Sequence, residues 1–467
     1  VQAWSGSVRV IAANLTRRRR LGPAIGALLA LAAAPGCSGV DSLIPRLATT
    51  AGPQAGQPGF VRGFLGGVAA EEPRAALVAR DVLSAGGSAT DAAVAAGFTL
   101  AVTLPSRAGL GGGGACLVFE PRRGPPEAVL FPPGPRTAAI PAGTDRPAAV
   151  PMLARGLFAL HTRGGRRPFE ELIAEAERLA RLGTPVSRAL AQDLAAVRSP
   201  LLADPGARAV FARADGAPLA EGDRLEQPDL ATTLATMRVS GVGDLYQGAL
   251  ARRLETTSER AGGGLNAEEL RAGLAQVVTA PQLRVGNDLV AFLPAAGEAW
   301  QRGGGNPAQI LAAAGGGARG GPPVGASTGL VTLDREGGAV ACAFTMNNLF
   351  GTGRVAQGMG VLLAAAPGQG AVAPVPLAAV LASNASLRAF RAAVAGSGQQ
   401  AAPPAVAAVM AQILLGAAPE QAIAAAAPEP ARVVAISCPR YLPGRPEACS
   451  AAADPRGAGI GLAGAER

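Results

Sequence analysis

Residues 325–345 constrain this chain more than any other stretch. Gly325-Ala326-Ser327-Thr328 is a junction of small residues with two adjacent hydroxyls, and residues 329–333 then read as a short strand. Asp334-Arg335-Glu336-Gly337-Gly338 supplies turn chemistry and residues 339–345 read as the returning strand. The pattern predicts a β-hairpin that holds the hydroxyl pair. A polar loop follows, Thr345-Met346-Asn347-Asn348 and then Phe350-Gly351-Thr352-Gly353.

A serine hydroxyl is inert until a base takes its proton, and the usual base is histidine. The 467-residue chain has one histidine, His161, in a segment unrelated to the hydroxyl pair. A newly exposed α-amine, by contrast, titrates at about 7.7–8, close to the working pH that suits a general base. Acyl transfer is therefore open to this chain if Ser327 becomes an N-terminus. Taken alone, a Ser-Thr pair reads first as an ordinary small-residue turn into a strand, and the residues downstream of it reverse that reading.

With 49% hydrophobic and 3% aromatic residues, the chain can bury one large core or two modest ones. It has no lysine, and Ala, Gly, Pro and Arg abound, so its net charge of +9 reflects compositional bias. Five arginines, Arg9 and Arg17 to Arg20, precede Cys37 with no acidic residue among them, which leaves +4 for the remainder. No basic-aromatic interleaving and no reading motif is present, which argues against nucleic acid as a partner.

Residues 1–36 read as an export signal. Arg17-Arg18-Arg19-Arg20 is a charged n-region, residues 21–34 an apolar run too short to span a membrane, and Pro35-Gly36-Cys37 a small-residue end. Cys37 stands where a bacterial lipoprotein would be cut and acylated, with Ala34 and Pro35 departing from the usual lipobox. Thr16-Arg17-Arg18 also loosely resembles a twin-arginine signal. The expected location is the periplasm or cell envelope, with membrane attachment only by a lipid on Cys37. Residues 37–60 read as a tether.

Export permits disulfides. Cys438 and Cys449, close neighbours in a Pro/Gly-rich stretch, are expected to pair, whereas Cys116 and Cys342 read as buried thiols in separate strands. No Cys/His cluster has metal-ligand spacing, and no cofactor is implied.

Along the chain, residues 73–83 have helical periodicity and end at Gly86-Gly87. Ser88-Ala89-Thr90-Asp91 begins a second, nearly all-apolar helix whose small side chains imply close approach to a sheet. The glycines at 109–114 precede a strand at 115–119 and lack the strand-before, helix-after setting of a nucleotide loop. Helices are also expected within 168–187, from about 228 to Met237 and from Ala405 to Leu415. Residues 271–324, with Gly303-Gly304-Gly305 and Gly315-Gly316-Gly317, read as a connector that buries little apolar surface.

Several of these features together resemble the γ-glutamyltransferase (glutathione hydrolase) family of N-terminal-nucleophile hydrolases. They are Glu71-x-Pro73, the Gly-Gly-x-Ala-x-Asp-Ala-Ala-Val-Ala-Ala run at 86–96, Gly109-Leu110-Gly111-Gly112-Gly113-Gly114, the hydroxyl pair with its D-x-x-G turn, T-x-N and F-G-T-G. Gly396-Ser397-Gly398-Gln399 and Asp454-Pro455-Arg456-Gly457 add to the likeness, which covers roughly residues 60–467. It implies an α/β (α+β) fold, the four-layer α-β-β-α sandwich, to which the bottom-up pattern conforms. It also implies cleavage of Ala326–Ser327 into a large-subunit region, 61–326, and a small-subunit region, 327–467, that remain associated.

Carried over residue by residue, the resemblance makes Ser327 the nucleophile and its amine the base. Thr345 would bond that amine or hydroxyl, Asn347 would contact the substrate, and the backbone N–H groups of Gly398 and Gln399 would form the oxyanion hole. Thr328 is the alternative nucleophile if the register slips by one.

The charged grips for a γ-glutamyl group differ. Pro132 stands at the place of an arginine, Ala364-Ala365-Ala366-Pro367-Gly368-Gln369 replaces an acidic stretch, and Ala378 and Ala379 replace two serines. Gly329 replaces the histidine after the hydroxyl pair, and Arg136 is the candidate substitute for the lost arginine. Three readings stay open. The chain is a self-processed amidohydrolase acting on a γ-glutamyl or related small-molecule amide through an altered pocket, a true γ-glutamyltransferase with a rebuilt pocket, or a non-catalytic envelope binding or structural protein.

Overall fold

Local capping fixes where the principal helices begin. Glu72 accepts a hydrogen bond from the Ala75 N–H at 2.8 Å and starts α1 (Pro73–Ser84). Ser88 and Asp91 form a reciprocal capping box that starts α2 (Ala89–Thr103), every residue of which is buried. Its small side chains permit this: a Cβ at Gly97 would lie 2.8 Å from the Leu157 side chain. These observations come from a computed structural model that describes residues 64–315, 325–369 and 372–465. The expected export signal and tether, and Cys37, lie outside the described residues.

Helices α3 (Leu153–Gly164), α4 (Phe169–Leu182), α5 (Arg188–Leu202) and α6 (Pro228–Ser240) join α1 and α2 in one layer. Helices α7 (Gly297–Arg302), α8 (Pro307–Gly315), α9 (Ala402–Leu414) and α10 (Pro419–Ala426) form another.

The strands between them are β1 (Phe64–Ala70), β2 (Gly113–Phe119), β3 (Glu127–Phe131), β4 (Gln276–Thr279), β5 (Gln282–Val285) and β6 (Asp288–Phe292). The hairpin supplies β7 (Ser327–Asp334) and β8 (Ala339–Thr345). The chain ends with β9 (Ala378–Asn384), β10 (Ala389–Ser397), β11 (Arg432–Leu442), β12 (Ser450–Ala453) and β13 (Ile460–Ala465). Two antiparallel sheets result, in the orders β13-β1-β7-β8-β2-β3-β4 and β12-β11-β10-β9-β6-β5. The expected hairpin occupies the middle of the first. Its turn is held by Asp334, whose Oδ1 accepts the Glu336 and Gly338 N–H groups while Oδ2 accepts the Ala89 N–H at the start of α2.

Three apolar clusters separate four layers. One lies between α1–α6 and the seven-stranded sheet and includes Leu330, Val340 and Cys342. A second lies between the sheets and includes Val331, Leu333, Ala341, Ala395 and Val434. The third lies between the six-stranded sheet and α7–α10. The architecture is the α-β-β-α sandwich. Strand alternation gives each sheet two apolar faces, which explains why β7, β8, β9 and β10 are buried along their whole length.

Two expectations are corrected. Cys116 and Cys342 are bonded to each other rather than being separate thiols. Each lies in the strand the sequence predicts, but only the register of β2 on β8 shows that they are directly opposed. Cys438 and Cys449 are joined as expected, with Cys438 inside β11.

The presumed connector is the other correction, because residues 276–315 contribute β4 to β6 and α7 and α8. Trp300 is fully buried there and stacks on Phe292 with ring centroids 6.5 Å apart. Its glycines make tight turns and close approaches: a Cβ at Gly303 would lie 2.3 Å from Ile310. Residues 316–324 of that stretch lie outside the described residues.

Candidate active site

Ser327 opens β7 directly opposite Thr345, the last residue of β8. Alternation along β7 separates the two hydroxyls. Leu330 faces the helical layer, and the Thr332 hydroxyl donates to the Ala89 carbonyl at 2.7 Å, so Thr328 shares the helix face. Val331 and Leu333 face the other sheet, and Ser327 shares that face with Gly329. Both hydroxyl oxygens are buried, and neither has a hydrogen-bond partner among the described residues.

The peptide bond before Ser327 is gripped at its carbonyl, and the amide preceding it at its N–H. The Ala326 carbonyl accepts from the Thr345 hydroxyl at 2.8 Å and from the Met346 N–H at 3.2 Å. The Ala326 N–H donates to Gln399 Oε1 at 3.0 Å. Thr345 in turn accepts the Asn347 N–H at 2.9 Å, which fixes the direction of its own donated proton. Gly398 and Gln399 pack on this junction, since a Cβ at Gly325 would fall 2.7 Å from Gln399 Oε1 and 3.2 Å from the Gly398 backbone. Gln399 and Asn347 both have left-handed backbones, with φ of 52° and 60°. That conformation is costly for residues other than glycine and persists where surrounding bonds enforce it.

The expected recognition residues are arranged differently. The Asn347 side chain donates to the Ala365 carbonyl at 3.0 Å, tying the 364–366 segment to the hairpin. Pro132 lines an apolar cavity with Leu130, Val150, Met152 and Leu274. Arg136 is not a free substitute for the missing arginine. Its Nε and Nη2 grip Glu269, Nη1 donates to the Gly263 carbonyl, and the side chains of the pair are each 1% exposed. His161 packs edge-on against Phe169 and bonds the Arg167 carbonyl, a structural role outside the hydroxyl junction.

Sequence reasoning noted Glu71 only as part of a motif. The fold brings it from the end of β1 against both sheets. Its Oε1 accepts the Gly329 N–H at 2.9 Å, and its Oε2 accepts the Ser397 hydroxyl at 2.7 Å and Arg107 Nη1 at 3.4 Å. Burial pushes its carboxyl up to about 7, against the opposing pull of Arg107, Ser397 and the Gly329 N–H. Arg107 relieves this only in part because Asp193 takes its Nε and Nη2 at 2.8 and 2.7 Å. Glu71, Arg107, Gly325, Ser397, Arg432 and Asp454 line one small cavity of about 40 Å³. Among the described residues no group of His, Cys, Asp and Glu is arranged to hold a metal ion, and no helix is long and apolar enough to cross a membrane.

The four-layer sandwich matches that of a cephalosporin acylase from Bacillus halodurans, with a TM-score of 0.67 over 88% of this chain and 98% of that one, at 18% identity. That likeness establishes the fold alone, the four-layer α-β-β-α sandwich. In sequence, the γ-glutamyltranspeptidase family model matches residues 75–297, under half of the chain. A glutathione hydrolase proenzyme of Bacillus subtilis (strain 168) is 33% identical over 223 residues, 44% of this chain and 37% of that protein. One of Escherichia coli (strain K12) is 31% identical over 227 residues, 45% and 39% of the two chains. Over that stretch the chain is similar to the γ-glutamyltranspeptidase family. The matched stretch spans well under half the length of these relatives, and the family match ends before Ser327.

Proposed function

We propose that this protein is an exported, self-processing amidohydrolase of γ-glutamyltransferase type, with an acyl pocket that has lost the charged grips for a γ-glutamyl group. The observation that carries this reading is the Ala326–Ser327 bond, whose carbonyl oxygen holds two donors beside a buried, unpartnered hydroxyl. In processing, Ser327 Oγ attacks the Ala326 carbonyl carbon. Thr345 Oγ1 and the Met346 N–H stabilise the oxyanion, a contribution of about 2.7–4 kcal/mol per donor in hydrolases of comparable design. The C–N bond breaks, the hydroxyl proton ends on the departing Ser327 nitrogen, and Ala326 is left as an ester on Oγ. Water hydrolyses that ester to give an Ala326 carboxylate and a Ser327 with both hydroxyl and amine free.

The same hydroxyl then attacks a substrate amide. The amine takes the hydroxyl proton and delivers it to the leaving amine, and water or an acceptor amine releases the acyl group. Strand alternation supports Ser327 over Thr328, since Ser327 and Thr345 share the face that points between the sheets. Gly398 and Gln399 fit the oxyanion role in this second stage by their position beside the junction.

The large and small fragments would stay together. Strands β1, β2, β3 and β4 of the first interleave with β7, β8 and β13 of the second in one sheet, and Cys116–Cys342 crosses between the fragments. Residues 1–36 would direct export, with Cys37 as a lipid attachment point. A denaturing gel tests the central claim: two fragments under reducing conditions, one band without reductant, and an N-terminal Ser327 on the smaller piece. An intact chain under reducing conditions defeats it. Release of p-nitroaniline from γ-glutamyl-p-nitroanilide by the processed protein separates a true γ-glutamyltransferase from the altered-pocket reading. The buried Arg136–Glu269 pair, with Pro132, Ala378 and Ala379, favours the second reading of a non-catalytic envelope binding or structural protein if no cleavage occurs.

A further inference from the structure

We propose that Glu71 is a positioning residue that clamps the nucleophile strand to the oxyanion-hole segment, holding Ser327 and Gly398 in register across the two sheets. The proposal rests on the acyl-transfer reading above. One carboxylate oxygen takes the N–H of Gly329, two residues after Ser327, and the other takes the hydroxyl of Ser397, one residue before Gly398. No main-chain ladder performs this task, because β7 and β10 belong to different sheets. The carboxylate therefore bridges the two elements whose relative placement decides whether a carbonyl held by Ser327 meets the oxyanion donors.

The groups facing Glu71 fit an ionised carboxylate. Arg107 approaches from the helical turn Pro105–Ala108, with Asp193 of α5 behind it. Arg432 of β11 adds its field, and Gln192 and Asp454 line the same cavity. All three bonded partners are donors, so every oxygen lone pair they address must be free of a proton. Protonation places a hydrogen on one oxygen and forces Ser397 to turn from donor to acceptor or Arg107 to withdraw.

With the carboxyl raised from 4.5 to about 7, the ionised clamp forms as pH rises through neutrality. Stability runs the opposite way. The folded state binds this proton more tightly than the unfolded state, so the contribution is full below about 4.5 and is lost as pH rises through about 7. The functional form of Glu71 is thus its less stable form.

The test uses the full chain with Glu71→Gln, which keeps shape and removes the charge, in both the cleavable and the Ser327→Ala background. In the uncleavable chain, hydrogen exchange is read in peptides covering residues 325–333 and 395–401, with residues 402–414 as the control for global unfolding. Faster exchange in the first two peptides and none in the control is the expected result. In the cleavable chain at pH 8, processing slows about ten- to a hundredfold, the equivalent of one hydrogen bond to a charged group. The wild-type processing rate falls below about pH 7. The precursor has no free Ser327 amine to account for that limb, and Glu71→Gln removes it. Unchanged exchange in both peptides overturns the clamp, as does wild-type processing with an unaltered pH limb. A wild-type chain that never cleaves defeats the acyl-transfer reading instead, and exchange alone then decides whether Glu71 joins the two strands.

Discussion

The reaction end of the candidate site and its recognition end are built from different materials. At the reaction end, the Ala326 carbonyl meets one hydroxyl and one backbone N–H, and Gln399 holds the preceding amide. At the recognition end, where the family resemblance places charged grips, stand Pro132, Ala378 and Ala379, and Arg136 is committed to Glu269. Machinery made of backbone groups and a strand register survives exchange of most side chains around it. Recognition of a zwitterion does not, because charged hydrogen bonds of about 1.5–3 kcal/mol each disappear with the side chains that make them.

Four substitutions sharpen or break this contrast. Ser327→Ala should abolish processing, leaving one chain on a reducing gel; fragments of unchanged size would move the nucleophile elsewhere. Thr345→Val keeps the shape of the side chain but removes a donor from the Ala326 carbonyl. Processing should slow by about 10²–10³-fold, followed as fragment yield over time, and a wild-type rate would remove Thr345 from the reaction end.

Arg136→Gln probes the other end. It leaves Glu269 buried without its partner and should lower stability by about 3–5 kcal/mol in a denaturant titration, with no selective change in KM for amides bearing a carboxylate. A selective rise in KM with stability intact would restore Arg136 to recognition. The smallest effect belongs to Thr328→Val. It removes an unpartnered buried hydroxyl from the helix face and should change stability by no more than about 1 kcal/mol while processing continues.

The contrast also shows where a linear reading succeeds. Helix starts at Glu72 and Ser88 and the hairpin turn at Asp334 depend on groups within four residues of one another, and these were legible. The hydroxyl pair was legible too, but Thr345, expected to bond the Ser327 amine or hydroxyl, donates instead to the Ala326 carbonyl. The glycine-rich stretch after residue 271 misled because composition cannot separate a glycine that loosens a chain from one that admits Ile310 or turns under Trp300.

By itself the sequence determined the first two helices and the hairpin, the small-residue helix buried against a sheet, the hydroxyl pair and the scarcity of imidazole that directs attention to an α-amine. Only the tertiary structure decided which face each hydroxyl takes, that Cys116 meets Cys342, that Arg136 is occupied, and that Glu71 joins β7 to Ser397. The physical reason is range. Capping, turns and periodicity are settled within a few residues, whereas strand register and the partners of a buried charge are settled between segments hundreds of residues apart, and nothing local encodes them.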